Sequence, residues 1–150
     1  MISIRRATDA DRVAIARLHE AAIRTFGPRA YTAEEVDSWA LGIRPEQYLI
    51  EQQMYVAVDD DAVVAFGHYH DGEIGAVYVD PPHVRRGTGR AMLAKLEDVA
   101  RADGATRVHL NAALNSTGFY AACGYTPTTE TMYRTRGGVA IRVVVMEKPL

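Results

Sequence analysis

The alternation of apolar and polar residues along the chain predicts a domain that mixes strands with helices. Residues 2–6 alternate with the two-residue period of a strand. Capping-box patterns at residues 8–11 and 32–35 predict the starts of two helices, because a side-chain oxygen and a carboxylate there satisfy free first-turn amides. We expect the first helix to end near Gly27-Pro28. The residues expected to be buried are Ala14, Leu18 and Ala21 in the first helix, and Val36, Trp39 and Ala40 in the second.

The middle of the chain is predicted to form three antiparallel strands. Residues 54–58 and 62–69 are strand-like and are separated by an acidic turn. Asp71-Gly72 then favours a two-residue hairpin, because a type I′ turn needs positive φ and these residues tolerate it. The third strand, residues 73–79, ends at Asp80-Pro81-Pro82, since proline cannot donate to a continuing ladder.

From residue 89 onward the hydrophobic period becomes helical. Residues 89–102 carry apolar side chains at helical spacing, and Gly104 follows as a stop signal. The remaining segments are a short strand at 107–110, a helix at 115–123, and a hairpin of 126–135 with 139–147 across Gly137-Gly138. The order β-α-α-β-β-β-α-β-α-β-β predicts an α/β (α+β) fold. Its mixed central sheet carries about four helices and is parallel where a helix crosses over.

Length and composition fit one soluble domain spanning residues 1–150. The chain is 48% hydrophobic and 24% charged, which excludes a disordered, collagen-like or coiled-coil protein. Its net charge of −2 lacks the basic field of a nucleic-acid binder, so no nucleic-acid partner is expected. Residues 1–6 lack the apolar pattern of a signal peptide, and no apolar run approaches the roughly 20 residues of a membrane span. We therefore expect a cytoplasmic protein without a membrane partner.

A single cysteine, Cys123, excludes an intramolecular disulfide and a multi-cysteine zinc site. No partner pattern supports a thiol nucleophile, and a free cysteine usually behaves as a small core hydrophobe. No metal is predicted.

The segment from residue 77 to residue 93 carries the strongest chemical signal. A strand ends there, a turn containing Gly87 and Gly89 follows, and an amphipathic helix begins. Free amides and the positive end of the dipole at such a helix start form an anion site. Three guanidinium groups, those of Arg85, Arg86 and Arg90, could pair with phosphate charge. On this pattern alone, phosphate binding and an ordinary strand-to-helix turn remain equally open.

Two motifs in register resemble those of the GNAT superfamily of N-acetyltransferases. Arg86-Gly87-Thr88-Gly89-Arg90-Ala91 resembles the family's pyrophosphate motif Q/R-x-x-G-x-G/A. Asn115-Ser116-Thr117-Gly118-Phe119-Tyr120-Ala121-Ala122-Cys123-Gly124-Tyr125 resembles its second motif, which ends in F-Y-x-x-x-G-F/Y. The spacing of the motifs and the order of elements also fit, so the resemblance covers nearly the whole chain and implies the GNAT acyl-CoA N-acyltransferase fold.

The resemblance implies acetyl-CoA as cosubstrate, bound along the strand before the first motif. The thioester would lie in a slot between Tyr78 and the end of the strand at Leu110-Asn111, and Tyr120 would hydrogen-bond the CoA sulfur and protonate the departing thiolate. The family's usual Asn-x-x-Ala is replaced by Ala113-Leu114-Asn115-Ser116, so the candidate asparagine is displaced. The implied cofactor-binding residues are Val77, Tyr78, Val79, Arg85, Arg86, Gly87, Thr88, Gly89, Arg90, Ala91, Asn115 and Tyr120.

Acetyl transfer also requires a base, because an alkyl amine with a pKa of about 10.4 is mostly protonated at neutral pH. The candidates are Glu73, which opens the strand leading to the thioester slot, and His68 and His70, which share a strand face by period two. The resemblance places the segment between the first two helices beside the acceptor. Its aromatic residues, Phe26, Tyr31 and Trp39, are therefore predicted as either core or acceptor wall.

The sequence thus predicts an N-acetyltransferase that moves acetyl from acetyl-CoA directly to a primary amine of a small molecule or peptide. Two alternatives remain open: an enzyme for longer acyl chains, and a catalytically inactive CoA-binding sensor or interaction module. A homodimer is also possible, since residues 143–146 of the last hairpin offer apolar surface that could equally belong to the core.

Overall fold

The computed structural model describes all 150 residues and arranges them as one seven-stranded sheet with four α-helices. The strands are β1 (Ile2–Arg6), β2 (Met54–Asp59), β3 (Ala62–His70), β4 (Glu73–Val79), β5 (Arg107–Ala113), β6 (Thr126–Arg134) and β7 (Ala140–Pro149). The helices are α1 (Arg12–Phe26), α2 (Ala33–Ala40), α3 (Thr88–Ala102) and α4 (Thr117–Ala122). The predicted fold class, a mixed sheet with four helices, is confirmed. None of the helices combines the length and the apolar character needed to cross a membrane.

The sheet is nearly divided between β4 and β5. Its strand order is β1-β2-β3-β4-β5-β7-β6, and every neighbouring pair is antiparallel except β4 with β5. These two parallel strands are in register only at Glu73 and His109 and then diverge. A wedge-shaped gap therefore opens between the carboxyl half of β4 and the carboxyl half of β5.

Helices cover both faces of the sheet around this gap. On β3, Phe66 packs with the cluster beneath α1, whereas the preceding residue, Ala65, packs with the cluster beneath α3. The predicted apolar stripe of α3 is buried as expected: Met92, Leu93, Leu96, Val99 and Ala100. The predicted face of α2 is buried as well: Val36, Trp39 and Ala40.

The predicted buried face of α1 is wrong at two of its three positions. Leu18 is buried, but Ala14 and Ala21 are only half-buried. The helix turns its larger neighbours Ile15 and Ile23 inward instead, because their side chains remove more apolar surface from water. This rotation also buries His19, a polar residue that the predicted face had left outside.

The helix of the second motif, predicted to begin at residue 115, begins at Thr117. Strand β5 continues to Ala113, because Val108, Leu110 and Ala112 maintain the two-residue alternation of buried side chains. A 3-10 turn at Leu114–Ser116 then precedes the short helix α4. Asn115 therefore lies in the turn that connects β5 to α4.

The apolar residues of the last hairpin lie within the chain's own sheet. Val143 and Met146 are buried, and Val144 and Val145 are half-buried. Cys123 is likewise partly buried and packs against the core beneath α3. A homodimer stays a prediction.

A buried polar triad ties α3 to β7 and to the last residue of the second motif. Lys148 Nζ donates to both carboxylate oxygens of Glu97 at 3.0 and 3.1 Å, and Tyr125 Oη donates to Glu97 Oε2 at 2.8 Å. Glu97 is buried, so its charge depends on these two donors. Burial, together with the neighbouring Glu97 carboxylate, raises the pKa of Tyr125 and keeps it a donor.

We expect Lys148→Met to destabilise the fold by about 2 kcal/mol or more, because it leaves the Glu97 carboxylate buried without its cation. Urea unfolding of the purified variant measures this change. The matched control is Arg107→Met, which removes the exposed partner of Glu147 and should cost less than about 1 kcal/mol. Equal losses in the two variants would contradict the triad's role.

Candidate active site

A single large cavity of about 790 Å³ occupies the gap between β4 and β5. Helix α1, strand β4, the start of α3, the β5–α4 turn and the β6–β7 hairpin all contribute to its wall. The site residues predicted from the sequence that line it are Phe26, Trp39, His68, Glu73, Val77, Tyr78, Val79, Arg85, Gly87, Gly89, Arg90, Asn115 and Tyr120.

Five predicted site residues do not line this cavity: Tyr31, His70, Arg86, Thr88 and Ala91. Tyr31 instead links β7 to the β5–α4 turn, since its hydroxyl donates to Arg142 O at 2.6 Å and accepts from Leu114 N at 2.9 Å. His70 is exposed, with its ring stacked 6.5 Å from that of His68.

The start of α3 has the features of an anion site. Gly87 caps the helix in the left-handed region at φ 81°, and no side chain caps the first turn. The first amides of the helix, including those of Thr88 and Gly89, therefore have no partner of their own within the helix. The buried Oγ1 of Thr88 also lacks a hydrogen-bond partner. The free amides of this turn fit a phosphate group.

The three arginines around this turn carry charge that no carboxylate neutralises. Arg85, Arg86 and Arg90 take part in none of the ion pairs of the protein. Arg85 has positive φ (63°), which turns the chain sharply just before Gly87. The positive end of the helix dipole adds to their field, so the whole turn favours a polyanion.

The gap itself offers open strand edges to an extended ligand. Beyond Glu73, β4 has no pairing partner in β5, so backbone donors and acceptors on that side are available for hydrogen bonds. A bulge in β4 leaves Gly75 unpaired between Ile74 and Ala76. A Cβ at Gly75 would lie 2.7 Å from His68 Nδ1, so the imidazole packs directly on the bulge. Asn115 adds a buried Oδ1 without a partner to the same cavity.

Tyr120 projects from α4 into the cavity. Its ring packs edge-on against Phe119 and Tyr125, with centroids 5.1 and 5.7 Å away. Burial raises the pKa of its phenol, and no hydrogen bond to another protein group contributes to that shift. The hydroxyl therefore stays protonated at neutral pH and is available as a donor.

The candidate bases differ in their surroundings. Glu73 lies where β4 and β5 part, and its Oε2 is 3.6 Å from His109 Nε2. Both side chains are about half exposed, at 49% and 48%, so a proton accepted there can pass to water. His68 is half-buried, and burial, followed by the charge of His70, lowers its pKa. Its buried Nε2 has no hydrogen-bond partner.

A buried aromatic cluster on the α1 side of the cavity could not be predicted from the motifs. His19 Nδ1 lies 2.9 Å from Tyr48 Oη, and its ring is 4.4 Å from that of Tyr78 and 5.4 Å from that of Phe66. Burial, and after it the charge of Arg136, lowers the pKa of His19 to about 3. The same burial raises the pKa of Tyr48 to about 12. Both groups are therefore neutral at pH 7, and they form an uncharged wall.

The β6–β7 hairpin completes the wall with Tyr133 and Arg136, two further residues that the sequence motifs did not indicate. Arg136 Nη1 donates to Trp39 O at 3.2 Å, so the hairpin reaches across to α2. The cavity thus joins an anion-binding end at α3, an open slot along β4, and an aromatic chamber bounded by α1, α2 and the hairpin.

Comparison with known proteins agrees with this geometry. The sequence profile of the acetyltransferase (GNAT) family matches residues 15–125. No curated protein matches the sequence significantly.

Solved structures of similar proteins align with almost the entire chain. A GCN5-related N-acetyltransferase from Rhodopseudomonas palustris is 24% identical, with a TM-score of 0.92 over 99% of this chain and 95% of its own. The PaiA N-acetyltransferase from Thermoplasma acidophilum, solved in complex with coenzyme A, is 19% identical, with a TM-score of 0.73 over 100% and 99%. The ribosomal-protein-S18-alanine N-acetyltransferase from Escherichia coli is 22% identical, with a TM-score of 0.66 over 99% and 94%. At these identities the likeness establishes the shared fold.

Proposed function

Because the chain belongs to the acetyltransferase (GNAT) family, we propose that it transfers an acetyl group from acetyl-CoA directly to a primary amine. One observation carries this proposal. The protonated, unpartnered phenol of Tyr120 faces the same cavity as the uncapped start of α3. A proton donor and a polyanion site joined by one slot match the two ends of an acyl-CoA thioester.

Each end of the cavity has a defined task in the proposed reaction. The amides at the start of α3 and the side chains of Arg85 and Arg90 bind the diphosphate, and the open edge of β4 pairs with the pantetheine arm. Asn115 Oδ1 accepts a further hydrogen bond from that arm. These contacts position the thioester carbon for attack.

The chemistry then needs three proton movements. The protonated amine first gives one proton to Glu73, which passes it to water. The amine nitrogen bonds to the thioester carbonyl carbon, its second proton leaves to water, and the carbon–sulfur bond breaks while Tyr120 donates a proton to the sulfur and is reprotonated from water. None of these steps requires a metal or a covalent enzyme intermediate.

The proposal is tested by titrating acetyl-CoA into the protein and measuring release of free CoA thiol with a panel of primary amines. We expect micromolar or tighter binding and amine-dependent thiol release. Binding without turnover of any amine would favour the alternative, a CoA-binding sensor. Faster turnover of longer acyl-CoA thioesters would favour a different acyl donor.

We expect Glu73→Gln to lower kcat/KM at least about tenfold at pH 7 and progressively less as the pH approaches 10. Below the amine's pKa of about 10.4 most of the acceptor is protonated, so the base contributes most at low pH. As the pH rises, the free amine forms unaided and the variant approaches the wild type. A pH–rate profile of both proteins measures this convergence.

The matched control is Glu130→Gln, which removes an exposed carboxylate of β6 that lies outside the cavity. It should follow the wild type at every pH. If the wild-type-to-Glu73→Gln ratio stays flat, the same profile of His68→Gln tests the neutral imidazole as the base instead.

A further inference from the structure

The wall of the cavity carries a charge opposite to that of the whole chain. Four arginines line it, Arg29, Arg85, Arg90 and Arg136, against the single carboxylate of Glu73. The chain as a whole has a net charge of −2. Arg85 and Arg90 stand beside the start of α3, where the proposed diphosphate binds. Arg29 and Arg136 lie at the aromatic chamber, so binding of the diphosphate does not need their charge.

Arg136 is held in place by the backbone around it. Ser38 of α2 contacts both sides of the hairpin turn: its Oγ is 2.6 Å from Thr135 Oγ1, and its carbonyl accepts from Gly137 N at 2.9 Å. A Cβ at Gly137 would lie 2.9 Å from the Cα of Ser38, so the turn packs directly on the helix. Together with the hydrogen bond to Trp39 O, this docking fixes the guanidinium at the edge of the chamber.

Neither chamber arginine has an acidic partner. Arg29 and Arg136 are absent from the ion pairs of the protein, although most other arginines outside the α3 turn have a carboxylate within 4 Å. The guanidinium of Arg29 instead lies 4.9 Å from the ring centre of Phe26. The field of Arg136 reaches the chamber interior, where it lowers the pKa of His19 in addition to the effect of burial.

We propose that the acceptor is an amine that also bears a carboxylate, and that Arg136 binds this carboxylate while the amine faces the thioester slot beside Tyr78. This inference rests on the proposed acetyl transfer and names its substrate class. A planar guanidinium matches a carboxylate with two parallel hydrogen bonds. Polyamines and other polycations are disfavoured, because Arg29 and Arg136 repel them and a single carboxylate cannot compensate for several positive charges.

The test compares acceptors that differ only in the carboxylate. Each standard amino acid and its C-terminal amide is supplied with acetyl-CoA, and spermidine serves as the polycationic probe. We expect kcat/KM for the best amino acid to exceed that of its amide at least about tenfold. Arg136→Gln should remove this preference while binding acetyl-CoA with unchanged affinity. The matched control is Arg142→Gln, an exposed arginine of β7 outside the cavity, which should keep the preference.

The outcomes separate this inference from the function on which it rests. If the wild type acetylates amides or spermidine as well as amino acids, or if Arg136→Gln retains the preference, the carboxylate assignment is overturned and acetyl transfer stands. If no amine is acetylated, acetyl transfer fails, and the CoA-loaded protein is titrated with the same amino acids. Binding that disappears in Arg136→Gln then still supports the carboxylate site, and absence of such binding overturns it.

Discussion

Replacing Gly89 by glutamate is expected to weaken acetyl-CoA binding at least about a hundredfold while the protein remains folded. Gly89 is the second residue of α3 and lines the cavity. A Cβ there would meet Phe119 and Val79 at 3.4 and 3.5 Å, which is ordinary contact, so the backbone tolerates a side chain. The rest of the glutamate must then extend into the slot, where its charge opposes the diphosphate. A negative charge in the first turn of a helix interacts favourably with the helix dipole, so the substitution does not weaken the helix itself.

Calorimetric titration measures the affinity, and a thermal melt shows that the variant is folded. Gly89→Ala adds only the tolerated Cβ and should lose much less affinity. Ala94→Glu places the same charge on the exposed side of α3 and should bind like the wild type. A folded Gly89→Glu variant with wild-type affinity would contradict binding of the diphosphate at the start of α3.

Tyr120→Phe is expected to lower kcat at least about tenfold, with little change in acetyl-CoA affinity or melting temperature. The substitution keeps the ring and its contacts with Phe119 and Tyr125, and removes only the hydroxyl. The hydrogen bond to sulfur strengthens as the thiolate forms, so its loss raises the barrier more than it weakens substrate binding. Proton donation of this kind contributes about 10²–10⁴ in rate, and a water molecule can replace part of it.

Single-turnover and steady-state rates of thiol release measure this loss. The matched control is Tyr55→Phe, which removes a phenol that donates to Gln53 outside the cavity. It should keep the wild-type kcat. If Tyr120→Phe also turns over at the wild-type rate, Tyr120 is an aromatic packing residue without a part in the reaction.

The sequence predicts the fold and the buried faces of α2 and α3, but it does not predict the buried face of α1. Strand β4 has the predicted bounds, because a hairpin turn and two prolines enclose it. The buried face of α1 could not be predicted correctly, because small alanines and larger isoleucines form two competing apolar stripes at nearly the same spacing. Buried volume decides between such stripes, and it depends on the partner surface, which is absent from the local pattern.

The motifs of the sequence indicate only part of the cavity. The turn at the start of α3 and Tyr120 belong to contiguous motifs, so their spacing alone indicates them. His19 and Arg136 reach the chamber from α1 and from a hairpin turn far away in sequence, and no local signal marks either residue. A polar residue in a helix or a turn is expected to face solvent, and only the assembled sheet shows otherwise.

The divergence of β4 from β5 also has a consequence for the lifetime of the protein. The four strands β1–β4 and the three strands β5–β7 are paired at a single register position, between β4 and β5. Few backbone hydrogen bonds therefore hold the two parts of the sheet together. A cosubstrate lying along the open edge of β4 binds only the folded chain and therefore adds directly to its stability. Ligand at a hundred times its dissociation constant contributes about 2.7 kcal/mol, or close to a hundredfold fewer unfolded molecules. The supply of acetyl-CoA would then set how quickly proteases remove the protein, as well as how fast it works.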